Sequence, residues 1–62
     1  MNYDDVIVDV IEEVEATELL IVSIQDLMLN GADRDSYLAT LIEEHIRLDK
    51  LKKLLAKLES SS

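Results

Sequence analysis

His45 is the one imidazole in the chain, and it directly follows Glu43 and Glu44. An imidazole beside carboxylates is the raw material of a metal centre or of general acid–base chemistry. On an antiparallel pair of helices, Glu15, Thr17 and Glu18 would fall close to it. Carboxylate-and-histidine clusters inside four-helix bundles hold di-iron centres, whose ligands include a Glu with a His three residues later on each of two helices. Here the residue three before His45 is Ile42, so that spacing fails. There is no Cys, no Gly-rich phosphate loop and no serine–histidine–aspartate set with a workable geometry. We therefore expect no enzyme activity, no cofactor and no metal, and read Thr17, Glu44 and His45 as a polar layer that sets register.

A second local pattern is Gly31-Ala32-Asp33-Arg34-Asp35-Ser36-Tyr37-Leu38. It resembles the acyl carrier protein segment in which Asp-Ser-Leu presents a serine for the phosphopantetheine arm at a helix start. The resemblance spans these residues alone, with Tyr37 where leucine is usual and without the other helices of that fold. Asp and Ser are also ordinary capping residues, and capping is the reading taken here.

These residues must be positioned by very little chain. Sixty-two residues bearing 14 acidic and 6 basic side chains, for a net charge of −8, form one domain at most. Hydrophobic content of 48% is too high for a disordered acidic tail. From Tyr3 to Leu29 there is no Gly or Pro, and apolar residues recur at Tyr3, Ile7, Val10, Val14, Ile21, Ile24 and Met28, with Thr17 in the one gap. Steps alternating four and three describe a heptad seam, so a helix is expected over 3–29, with Asn2 as N-cap. A strand over Val6–Ile11 is the competing reading, because β-branched residues favour sheets. Asn30-Gly31-Ala32-Asp33 should reverse the chain. A second helix is expected over 34–58, with a seam at Tyr37, Leu41, Leu48, Leu51, Leu55 and Leu58 that Glu44 interrupts. Residues 59–62 should fray.

The fold class expected is all-α: an antiparallel two-helix hairpin that dimerises into a four-helix bundle. Two helices cannot hide all the apolar surface. Leu19, Leu20, Val22, Leu27, Leu29, Leu38, Ile42 and Ile46 fall off the seam and are the candidate interface, toward a second copy or another protein. All eight acids of residues 1–31 lack a base in that half, whereas residues 32–62 hold six of each sign. Asp9, Glu12, Glu13 and Glu15 should therefore lie near Lys50, Lys52, Lys53 and Lys57. Asp5, Asp9, Glu12 and Glu15 form a candidate acidic face. So acidic a chain is a poor direct ligand for nucleic acid or for anionic membrane surfaces. With no leader signal and no long apolar run, a cytoplasmic protein is expected. Its function class would be a small regulator, adaptor or inhibitor that binds protein, of the size common among phage and plasmid accessory proteins. An acidic imitation of DNA, or a purely structural oligomerisation unit, are the alternatives.

Overall fold

The computed structural model describes residues 3–61, and they form two α-helices joined as a hairpin. Helix α1 runs Tyr3–Leu29 and α2 runs Arg34–Ser61. No strand forms among the described residues, so the β-branched run over Val6–Ile11 is helical. Tertiary packing of its apolar stripe outweighs the modest intrinsic preference for a strand. One expectation needs correction. The segment over 59–61 continues α2 rather than fraying, and this extension leaves the last turn of α2 without a basic residue. The proposed Asn2 cap lies outside the described residues.

The reversal is built by local hydrogen bonds. The Ala32 amide donates to the Leu27 carbonyl at 3.0 Å and the Gly31 amide to the Met28 carbonyl at 3.3 Å. These are the paired bonds of a Schellman ending, which satisfy carbonyls left over at the helix terminus. The motif requires a left-handed residue, and Gly31 supplies it with φ of 95°. Asp33 then caps α2. Its Oδ1 accepts from the Asp35 amide at 3.2 Å and its Oδ2 from the Ser36 hydroxyl at 2.8 Å, while its carbonyl accepts the first helical bond from Tyr37. Ser36 is thereby engaged in the cap that the sequence composition suggested.

The two seams meet as their spacing requires. Val10, Val14, Thr17, Ile21 and Ile24 are buried on α1, flanked by half-buried Ile7 and Met28. On α2 the half-buried positions are Tyr37, Leu41, Glu44, Leu48, Leu51, Leu55 and Leu58, and no residue of that helix is fully covered. The β-branched side chains on α1 are covered from the α2 side by its seam leucines, which themselves stay half-buried. Tyr3, expected on the seam, is 54% exposed at the open end.

Replacing Gly31 with Ala forces a β-carbon into a left-handed backbone, although nothing lies within 4 Å to obstruct it. The variant should lose about 1–2 kcal/mol in urea titration. Asp33→Ala, which removes both side-chain capping bonds, should cost about 1 kcal/mol by the same measurement.

Candidate functional site

The surface most able to act is apolar, and the interhelical ion pairs give it a frame. Glu13 Oε2 meets Arg47 at 2.8 Å, and Glu18 Oε2 meets Lys52 at 3.8 Å. Glu13 stands one residue before Val14 and Glu18 one residue after Thr17, so the pairs mark opposite flanks of the seam. Residues seven apart on a heptad helix share a column. Counting in sevens, Val6, Leu20 and Leu27 of α1 and Leu54 of α2 belong to the Glu13–Arg47 flank. Ile11 of α1 and Leu38 of α2 belong to the Glu18–Lys52 flank, and Val8, Val22, Leu29 and Ile42 extend that flank by one further column.

All eight candidate interface residues are exposed: Leu19, Leu20, Val22, Leu27, Leu29, Leu38, Ile42 and Ile46. The extremes are Leu29 at 84% and Leu19 at 68%. They do not form a single surface. Leu19 and Ile46 lie on the outer sides of their helices, Leu20 and Leu27 on one flank, and Val22, Leu29, Leu38 and Ile42 on the other. Sequence reasoning left Val8 out of the set, yet it is 51% exposed and stands two heptads before Val22. The same count of seven would have found it.

Polar groups on the seam are placed differently from one another. Thr17 is 3% exposed, and its hydroxyl donates to the Glu13 carbonyl at 2.7 Å, so the seam tolerates it because its own helix satisfies it. Glu44 is half-buried with one oxygen, Oε2, enclosed and lacking a hydrogen-bond partner. His45 is exposed and stands outside the layer expected of it. It follows the seam position Glu44 by one residue and so turns onto the Glu18–Lys52 flank. Among the described residues no group of three His, Cys, Asp or Glu gathers in a geometry that could hold a metal ion.

Asp5, Asp9, Glu12 and Glu15 are exposed, and none forms an ion pair among the described residues. The expected pairing of Asp9, Glu12, Glu13 and Glu15 with Lys50, Lys52, Lys53 and Lys57 is corrected: Glu13 takes Arg47, Lys52 takes Glu18, and Lys53 takes Asp49 of its own helix at 3.0 Å. Only positions bordering the seam can reach across it, and Asp5, Asp9, Glu12 and Glu15 lie a column or more too far round α1. Both interhelical pairs are more than half exposed, so each contributes at most about 0.2–1 kcal/mol. A shallow groove at the turn end is lined by Gln25, Met28, Leu29, Arg34 and Leu41. No helix among the described residues is long and apolar enough to cross a membrane. No family model, curated protein or solved structure matches the chain.

Glu44→Leu should raise the melting temperature, because it removes an enclosed carboxylate oxygen with no partner and extends the leucine seam. A gain of about 1–3 kcal/mol is expected from thermal and urea unfolding. A loss of stability would show that the carboxylate has a structural partner.

Proposed function

We propose that this chain is a small non-enzymatic interaction module, acting on another protein as a regulator, adaptor or inhibitor through its exposed apolar and acidic helix surfaces. The observation that carries this reading is the set of twelve large apolar side chains left exposed among the described residues, against four buried apolar residues in the core. Single exposed leucines are ordinary, but several contiguous ones mark contact surfaces. The molecule is a rod with extents of 45 × 14 × 14 Å. Its 4690 Å² of accessible surface exceeds the roughly 4,000 Å² that a compact monomer of this mass would show. A rod of this kind presents long helix faces, the form in which amphipathic helices dock into grooves or onto other helices.

The unpaired acids Asp5, Asp9, Glu12 and Glu15 favour a second reading, in which the acidic side of α1 imitates nucleic-acid phosphate toward a basic protein. Charge-led and apolar-led binding respond oppositely to salt.

Immobilised protein presented to host extract should retain a partner in about 1 M salt, where the Debye length falls to about 3 Å. Replacing Leu20 and Leu27 together with Asp should reduce retention at least tenfold. Capture that vanishes in salt and survives these substitutions would favour the acidic imitation instead. No capture at either salt concentration would contradict both.

A further inference from the structure

We propose that the Glu18–Lys52 flank of the hairpin is covered by the same flank of a second copy, related by a twofold axis parallel to the helices. This rests on the reading of the exposed apolar surfaces as contact surfaces and names the occupant of one of them. Three observations converge on a second copy.

The first is area. One of the four long sides of the rod comprises roughly 1,200 Å² of its accessible surface, more than the roughly 800 Å² per partner that a stable complex needs.

The second is charge. Helix α1 carries no base, whereas all six bases lie in α2. Setting α1 against α1 would bring acids onto acids along the whole contact. A twofold axis along the rod sets α1 against the partner's α2 instead, so that every neighbouring pair of helices is antiparallel and the helix dipoles oppose favourably.

The third is self-complementary banding. On this flank α1 reads Val8 and Ile11, then Glu15 and Glu18, then Val22 and Leu29, with Asp4 before the first apolar band and Gln25 inside the last. Helix α2 reads, from the turn outward, Asp35, then Leu38 and Ile42, then His45, Asp49 and Lys52, then Ala56 and Glu59. The ion pairs set residue n of α1 level with about residue 65 − n of α2. The twofold operation then brings Val22 level with the partner's Ile42, Val8 level with the partner's Ala56, and Leu29 level with the partner's Asp35 at the turn end. Glu18 comes within a helical turn of the partner's His45. Glu15 faces the partner's Asp49, whose charge Lys53 already offsets at 3.0 Å.

The test combines sedimentation equilibrium with spin-label distances on the full chain, which contains no native cysteine. The protein should be a dimer at low micromolar concentration. Val22→Asp with Ile42→Asp, both at sites about half exposed in the single hairpin, should raise the dissociation constant by roughly 100-fold or more. Leu20→Asp on the opposite flank should leave it unchanged, which controls for general disruption. Labels at Asn30→Cys should lie well within the 45 Å length of the rod, because this symmetry puts both turns at one end. A monomer, labels separated by the full length, or a dimer broken by Leu20→Asp and not by the flank variants would each overturn the inference. A monomer that still captures a partner from extract would do so while leaving the interaction reading standing.

Discussion

A helix can cover only one stripe of another helix, and the rest of this molecule follows from that limit. The seam of α1 is buried because leucines of α2 roof its β-branched side chains. The leucines have no third element to roof them, so among the described residues none of α2 is fully covered and no large side chain is sealed from water. Sixty-odd residues usually need some further source of stability, whether a disulfide, a metal or a partner. Without cysteine the first of these is closed to this chain. The apolar columns on either side of the seam are the remaining resource, and they are what a neighbouring chain would find.

Charge has a narrower part. The division between an all-acidic first half and a second half containing every base selects the antiparallel pairing of α1 with α2, and Glu13–Arg47 and Glu18–Lys52 are its two visible bonds. Both are exposed, so they choose an alignment more than they hold it. On α1, Asp5, Asp9, Glu12 and Glu15 stand beyond the columns that border the seam and form no ion pair among the described residues. They give α1 a field that keeps like helices apart and leaves its outer side strongly negative.

Much of this architecture could be read from residue spacing. The alternation of three and four located both seams apart from exposed Tyr3, with Thr17 and Glu44 as their interruptions, because heptad periodicity survives one polar substitution. Asn30-Gly31 and Asp33 announced the turn because each has a specific backbone task there, a left-handed residue in one case and an amide acceptor in the other. The end of α2 was misjudged: three serines look like a tail, but serine has moderate helix propensity and the leucine seam runs as far as Leu58. Ion-pair partners were misassigned because charge composition is a sum over a helix, whereas pairing depends on column. His45 showed the same limit, since one residue of displacement from Glu44 carries it about 100° round the helix and out of the seam. The exposed apolar set was visible as a number of residues before it was visible as two separate flanks.

The tight reversal at Gly31 has a kinetic corollary. Contacts between α1 and α2 close loops that lengthen steadily with distance from the turn, so the entropic cost of forming them rises toward the open end. Met28 and Leu41, which share the groove beside the reversal, are joined by a short loop, while Ile7 and Leu58 must wait for the longest. Assembly of the hairpin accordingly runs like a zip from the bend outward. Local amide exchange should quicken in the same direction, toward the open end where Tyr3 lies exposed to water.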